Sequence, residues 1–336
     1  MVTLRGGVAL TLHEIEQLTR KVFSENGCDA ANTEALVRTV VGAERDGCAS
    51  HGLFRVPGYV SSLRSGKVNG KAFPQITRPA SAVFRVDGDN GFAPLALERA
   101  IPALADGARS FGVAAAAIRR VYHYAALWPE TEALAQEGLI GLACVSYLPV
   151  MAPYGGDQAL FGTNPISFAW PRPGRSPVVI DMATAAMAQG EVQIAAREGR
   201  SVPSGTGLDR HGNPSTDPRE ILEGLLLPFG GHKGSALALM VELLAAGAVG
   251  DYFSFEAAEA DNGDGGPPRG GEFLLAVSPE LLAGSGYAEH CEAFFHRYEA
   301  IQGARLPGAR RHANRLSDEP RIIDAELVER IRALVD

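Results

Sequence analysis

An α/β fold is predicted for this 336-residue chain by three features of its sequence. Apolar residues recur at helical spacing through the N-terminal part. From about residue 76, short runs rich in Val, Ile and Ala alternate with longer Ala- and Leu-rich stretches, the grammar of strands and helices in turn. A last amphipathic stretch closes the chain. With 46% hydrophobic and 21% charged residues, the composition supports a large buried core, in one or two domains by length.

Thr11 and Glu14 form a capping-box pattern ahead of Ile15, Leu18 and Val22, so a helix starts there. A second helix runs through Leu36, Val37, Val40 and Val41 and stops near Gly47. Ser50 then reads as an N-cap, with Leu53, Val56 and Val60 at helical spacing behind it. Ala82 to Val86 reads as a strand ended by Asp87 and Gly88, and Pro94 to Ala108 as a helix. Strands are expected over Val113 to Ile118, Leu139 to Val145, Ile166 to Ala169 and Val178 to Asp181, with a helix over 125–136 among them. A helix over Ser235 to Ala246, a strand over Phe273 to Val277 and a helix over Ala325 to Val335 follow. Gly and Pro cluster around Pro203 to Pro218 and Asn262 to Gly271, which read as long loops. There is no internal repeat.

A formal charge of -8 and the lack of a basic tail argue against nucleic-acid binding, which needs clustered Lys and Arg over an extended face. Cys28, Cys48, Cys144 and Cys291 are scattered, with no C-x-x-C pair, so reduced cysteines and no metal centre are expected. No signal-peptide core and no apolar run of membrane-spanning length is found, which reads as a cytoplasmic protein.

The segment D-G-C-A-S-H-G-L-F-R places Ser50, His51 and Arg55 together. On one helix, His51 and Arg55 would share a face, setting a proton carrier beside a cation near a helix N-terminus that favours anions. This suits a small carboxylate undergoing proton transfer; a capping Ser followed by a surface His and Arg is the plainer alternative. The G-x-G-x-x-G fingerprint of a Rossmann fold is missing, so a dinucleotide would need another cradle. One candidate is P-F-G-G-H-K-G-S (228–235), where glycines, free N–H groups and the charge of His232 and Lys233 would suit a phosphate; a glycine turn leading into a buried helix is the alternative. A second is V-Y-H-Y-A-A-L-W-P-E (121–130), carrying His123, where Tyr124, Leu127 and Trp128 would equally serve as packing. A third joins Thr163 and Asn164 of F-G-T-N-P with Asp181 at the end of an apolar strand; a plain turn and a helix N-cap explain these too. Glu191 reads by default as a solvated carboxylate, and His13, His290 and His296 receive no role.

Taken in order, S-H-G-x-x-R, G-T-N-P, I-D-M-A and G-G-H-K-G-S resemble the malate/L-lactate dehydrogenase family along nearly the whole chain. The G-T-N-P turn, where hydroxy-acid dehydrogenases of that family carry Gly-Asn-Asn-Pro, and H-Y-A-A-L-W-P-E, where they carry glycine, look more like its branch of delta-1-piperideine-2-carboxylate/delta-1-pyrroline-2-carboxylate reductases. The resemblance implies a non-Rossmann, largely antiparallel NAD(P)-binding sheet. It divides the chain into a helical part over 1–75, an NADPH-binding α/β part over 76–300 and a C-terminal part over 301–336 that returns to the helical domain. A homodimer is implied as well.

Residue by residue, the resemblance makes His51 the proton donor, Ser50 its relay partner, and Arg55 and Thr163 the holders of substrate. Glu191 falls where a relay Asp is expected. Cofactor contact is implied for His123, Tyr124, Ala125, Ala126, Leu127, Asp181, Met182, Ala183, Gly190, His232 and Lys233. It is implied also for the segment Arg305, Leu306, Pro307, Gly308, Ala309, Arg310 and Arg311. The implied reaction is NADPH-dependent reduction of a cyclic imino acid to L-proline or L-pipecolate. A 2-hydroxy-acid dehydrogenase and a non-catalytic binding protein are the alternatives.

Overall fold

The structure, a computed structural model, describes residues 6–124 and 126–335. A short strand, β1 (Gly7–Leu10), precedes α1 (Leu12–Glu25). Thr11 accepts from the Glu14 N–H at 3.1 Å while the Glu14 carboxylate accepts from the Thr11 N–H at 2.7 Å, so the expected capping box forms. Asp29 caps α2 (Ala30–Arg45) through the Asn32 N–H. Both helices pack their apolar faces on α3 (Val56–Arg64), with Ile15, Val22, Phe23, Leu36, Val40, Tyr59 and Val60 in one core.

Between α2 and α3 the expected helix start at Ser50 is not found. Two successive 3-10 turns, Ala49–His51 and Leu53–Arg55, carry the S-H-G-L-F-R segment, and the α-helix begins only at Val56. Ser50 therefore caps nothing; its hydroxyl bonds His51 instead. The cause lies at Gly52, where the Leu53 N–H turns to the buried Glu44 carboxylate at 2.7 Å and a Cβ would fall on that same carboxylate.

β2 (Gln75–Ala80), missed in the sequence, forms a hairpin with β3 (Val83–Phe92). α4 (Ala93–Phe111) then returns the chain to β4 (Val113–Tyr122), α5 (Trp128–Gln136) and β5 (Ile140–Val145). β6 (Ile166–Trp170), β7 (Val178–Met182) and α6 (Gln189–Glu198) follow. Within the loop expected over 203–218, β8 (Gly207–Leu208) and β9 (Pro214–Ser215) join β10 (Leu225–Leu226) beyond α7 (Pro218–Glu223) in a small three-stranded sheet. α8 (His232–Glu242) runs on into a wider turn over 243–248, then α9 (Ser254–Glu259) and β11 (Arg269–Val277). α10 (Pro279–Ala283), α11 (Tyr287–Glu299), α12 (Ala309–Asn314), β12 (Arg321–Asp324) and α13 (Ala325–Arg332) complete the chain.

The main sheet has seven strands in the order β2-β3-β4-β11-β5-β6-β7 and is mixed: β3 and β4 pair in parallel, the other neighbours antiparallel. Small residues bring α4 close to it. Ala96, Ala100, Ala114 and Ala116 are fully buried between helix and strands, and a Cβ on Gly107 would come within 2.7 Å of the Phe84 ring. The two ends of the chain meet, because β1 pairs with β12 and Ile323, Leu327, Val328 and Ile331 complete the core of α1 to α3. Burial of each such aliphatic side chain contributes about 1.5–3 kcal/mol.

Candidate active site

A cavity of about 730 Å³ opens where several chain segments converge. The 3-10 turns after α2 form one side. The ends of β5 and β7, the start of α6 and residues Arg310 and Arg311 of α12 form the others. Of the residues singled out in the sequence, Ser50, His51, Arg55, Tyr124, Ala126, Thr163, Asp181, Met182, Ala183, Gly190, Glu191, Arg310 and Arg311 line it.

The tight turns decide the geometry on their side of the cavity. Ser50 Oγ and His51 Nδ1 share a hydrogen bond at 3.0 Å, and the His51 ring stands edge-on to Trp128 at 6.2 Å. Arg55 is held on three sides. Its Nε donates to the Ser50 carbonyl at 2.8 Å, its Nη1 to Gln193 Oε1 at 3.4 Å, and its guanidinium lies 4.5 Å from the centre of the Tyr124 ring. Gly190 fits here because a Cβ would come 2.6 Å from Arg55 Nη2 and 3.2 Å from the Ser50 Cβ. The resemblance implied cofactor contact for Gly190; its observed neighbours are Arg55 and Ser50 of the 3-10 turns. Glu191, in the first turn of α6, is an exposed carboxylate on the cavity wall.

Tyr124 is itself fixed, since its hydroxyl donates to the Gly265 carbonyl at 2.8 Å. The loop that supplies Gly265 is tied down in turn: Lys67 bridges Asp261 and Asp264, and the Ser61 hydroxyl donates to the Asp264 carbonyl at 2.6 Å. The glycine-rich stretch over 262–268 thus supports the floor of Arg55.

Asp181 does what its plainer reading required, by another route. Its carboxylate accepts from the N–H groups of Leu127 and Trp128 at 3.0 and 2.9 Å, so it serves the orphan donors at the start of α5 from a neighbouring strand. Burial pushes its pKa up to about 6, against the pull of Arg311 and these two donors. Trp128 is anchored at its other edge by an Nε1–H bond to Asp46 at 3.0 Å. Burial opposes the charge on Asp46, but Arg315 and Arg45 prevail and hold its carboxyl below the usual range. Arg315 also binds Glu132, which His312 faces at 3.2 Å, so this buried network fastens α12 to α2 and α5. Arg311, one turn before Arg315, lies over the Trp128 ring at 5.4 Å, bonds the Val179 carbonyl at 2.9 Å, and keeps a buried Nε with no partner among the described residues.

Other residues implied in cofactor contact lie outside the cavity lining. Leu127 is fully buried in the α4 core. His123 points into a buried pair of glutamates. His232 and Lys233 stand exposed at the first turn of α8, where His232 meets the Tyr154 ring. The glycines that flank them serve packing and turning: Gly231 has φ +63°, and a Cβ on Gly234 would collide with the Phe229 carbonyl. Arg305 is exposed, with its carbonyl facing the Tyr298 hydroxyl, while Leu306 to Ala309 run beside β7, where the Pro307 carbonyl accepts from the Val179 N–H. Ala125 lies outside the described residues.

The Thr-Asn-Pro turn divides its tasks. Thr163 faces the cavity and its carbonyl accepts from Thr184, while Asn164 adopts a left-handed φ of +39° and turns its amide to Ala238 and Glu242 of α8. Among the residues that escaped the sequence reading are Tyr147 and Gln189, which line the cavity, and Gln193, which holds Arg55 from beside it. Tyr147 follows the C-terminal end of β5, where α/β sheets gather ligand groups, and that position was its one signal.

The profile of the malate/L-lactate dehydrogenase family matches residues 10–331. The chain belongs to that family. It is 48% identical over 303 residues, 90% of this chain and 88% of the other, to a Delta(1)-pyrroline-2-carboxylate/Delta(1)-piperideine-2-carboxylate reductase of Pseudomonas syringae pv. tomato. The crystal structure of a delta1-piperideine-2-carboxylate reductase from that organism superposes with a TM-score of 0.91 at 45% identity, covering 97% of this chain and 99% of that one. A sulfolactate dehydrogenase from Methanocaldococcus jannaschii matches at TM-score 0.87 and 28% identity, with 97% and 96% covered. The same fold therefore occurs in proteins named for sulfolactate and for cyclic imino acids, so the side chains lining the cavity must separate such substrates.

Proposed function

We propose that this oxidoreductase reduces delta-1-pyrroline-2-carboxylate and delta-1-piperideine-2-carboxylate to L-proline and L-pipecolate, using NADPH, as a cytoplasmic homodimer. The observation that carries the reading is the juxtaposition of the Ser50–His51 pair with an Arg55 guanidinium fixed by Ser50, Gln193 and Tyr124. The names of the relatives point the same way.

Each chain residue then has a task. Arg55, with Thr163, takes the 2-carboxylate through charge-assisted hydrogen bonds that place the ring. Trp128, Tyr124 and Tyr147 supply flat walls for a planar ring, where an open-chain hydroxy acid would need a partner for its hydroxyl. His51 delivers a proton to the ring nitrogen, and Ser50 orients its imidazole through Nδ1. Glu191, on the wall of the same cavity, would supply the carboxylate of the relay.

The cavity suits a nicotinamide dinucleotide on a sheet that lacks the Rossmann glycines. Its volume, the Arg311 Nε left without a partner among the described residues and the neighbouring Arg310 fit a phosphate-bearing group, which would be held by the segment from Arg305 to Arg311 and by Asp181 to Ala183. When bound, the dihydronicotinamide supplies the hydride.

The test is NADPH oxidation by the purified protein near neutral pH with each cyclic imino acid, against pyruvate and oxaloacetate. A much higher kcat/KM for the cyclic imines is expected. Equal or better turnover of an open-chain oxo acid returns the protein to the hydroxy-acid dehydrogenases.

A further inference from the structure

One group of ionisable side chains has no part in this chemistry. His123 at the end of β4, Glu130 on α5 and Glu272 on β11 come together behind the cavity wall, and each offers a ligand atom within 4.8 Å of the others. They are 6%, 6% and 0% exposed. Among the described residues, both nitrogens of His123, both carboxylate oxygens of Glu272 and Oε2 of Glu130 lack a hydrogen-bond partner, although His123 Nε2 comes within 3.3 Å of Glu272. Buried polar atoms left in this state are costly, more so when charged, so three such side chains converging on one point call for a group that satisfies them together.

We infer that His123, Glu130 and Glu272 form a structural site for one divalent cation of the zinc type, independent of the reductase reaction. An imidazole with two carboxylates is a borderline-to-hard donor set, suited to zinc and its neighbours and unsuited to soft thiophilic ions. The charges agree: two carboxylates and a neutral imidazole sum to -2, which one divalent ion cancels. Without an ion, burial drives both glutamates towards the protonated form, helped at Glu130 by the charge of Glu272 and at Glu272, pushed up to about 8, by that of Asp181, and burial holds His123 below its usual range. Zinc–ligand bonds of about 2.1 Å in a tetrahedron put donors about 3.4 Å apart, so the three side chains need to close by only about an ångström. The cation would pin β4, α5 and β11 together behind Tyr124 and Trp128, and thereby stiffen one cavity wall. Sequence reading assigned no metal ligand because positions 123, 130 and 272 have no motif spacing.

The experiment measures zinc, not turnover. The purified chain is unfolded, stripped with chelator and refolded with or without equimolar zinc sulfate, desalted, and its metal content read by mass spectrometry. About one zinc per chain is expected, with Glu272→Gln and His123→Gln retaining less than a tenth of that. Anomalous scattering at the zinc edge from crystals of the unsubstituted protein should show one peak among the three side chains, and this arm decides even where a variant fails to fold. Unsubstituted protein that refolds without taking up zinc overturns the proposal, leaving a proton-sharing carboxyl pair. Equal zinc in folded variants, or a peak elsewhere, overturns it too.

Discussion

Two segments of this chain set a histidine and a cation beside glycines: S-H-G-L-F-R over 50–55 and G-G-H-K-G-S over 230–235. Their chemistry on paper is similar, and their surroundings are not. In the first, Gly52 lets two 3-10 turns wrap a buried glutamate, so His51 and Arg55 enter a cavity already fixed by Ser50, Tyr124 and Gln193. In the second, the glycines let α8 start against the Phe229 backbone, and His232 and Lys233 are left exposed. Residue types nominate a site, and what the neighbouring backbone does with them decides.

Substitution of the two histidines gives the largest expected contrast. His51→Ala should lower turnover about a hundredfold to ten-thousandfold, the usual contribution of a positioned general acid, while cofactor binding measured by fluorescence persists. His232→Ala should leave turnover near that of the parent. A comparable loss in both would erase the distinction between the segments.

The two cations come next. Arg55→Lys should raise KM for the cyclic imine about tenfold to a hundredfold, because an ammonium cannot keep the hydrogen bond to the Ser50 carbonyl, the contact with Tyr124 and a bidentate grip on the carboxylate at once. Lys233→Ala should leave that KM unchanged. Lower turnover at constant KM in Arg55→Lys would move Arg55 out of substrate binding.

How each segment is held gives a third contrast, read as stability against pH. Burial raises the pKa of Glu44, beneath the S-H-G turns, from 4.5 to about 7, while the Leu53 N–H and Arg321 pull the other way. The folded state thus binds the proton more tightly than the unfolded chain. Its contribution is full below pH 4.5 and is lost as pH rises through about 7. At 1.36 kcal/mol per unit the ceiling is about 3 kcal/mol, and relaxation of the site reduces this to about 1–2 kcal/mol. Denaturant titrations should show Glu44→Gln gaining stability over the parent by that amount between pH 5 and 8. Asp181 and Glu272 shift in the same direction in both proteins, so only the difference between them isolates Glu44. A constant difference across the range would separate the turns from the titration of Glu44.

Local grammar was legible wherever one element settles its own ends. The capping box at Thr11 and Glu14, the strand at 113–118 and the helix at 325–335 needed no partner to be read. The site itself was legible as an ordered set of short motifs, and Ser50, His51, Arg55 and Thr163 do line one cavity. Illegible were features set by distant chain. β1 and β12 exist because they pair with each other. Asp181 serves α5 from another strand, and Ser50 loses its capping role to a glutamate six residues back. Tyr147 and Gln193 carry no spacing signal; they enter the site because β5 ends and α6 begins beside it.

The smallest expected effect concerns which cationic segment meets the 2'-phosphate of NADPH. Two candidates were visible in sequence, Lys233 with His232 and the run Arg305 to Arg311. Arg310 and Arg311 line the cavity, and Arg311 has a buried Nε with no partner among the described residues, whereas Lys233 is exposed outside the lining. Arg311 is also committed to the Val179 carbonyl and the Trp128 ring, so its removal would disturb the wall as well as the charge. Arg310→Ala is the cleaner probe. One charge-assisted contact to a partly solvated phosphate contributes about 1 kcal/mol, so the ratio of kcat/KM for NADPH over NADH should fall about fivefold. The fall should come through KM for NADPH alone, since NADH lacks the phosphate, and added salt should shrink the difference by screening it. Lys233→Ala should leave the ratio where it was. A fall in that variant with none in Arg310→Ala would transfer the phosphate to the start of α8 and restore to G-G-H-K-G-S the role its composition suggested.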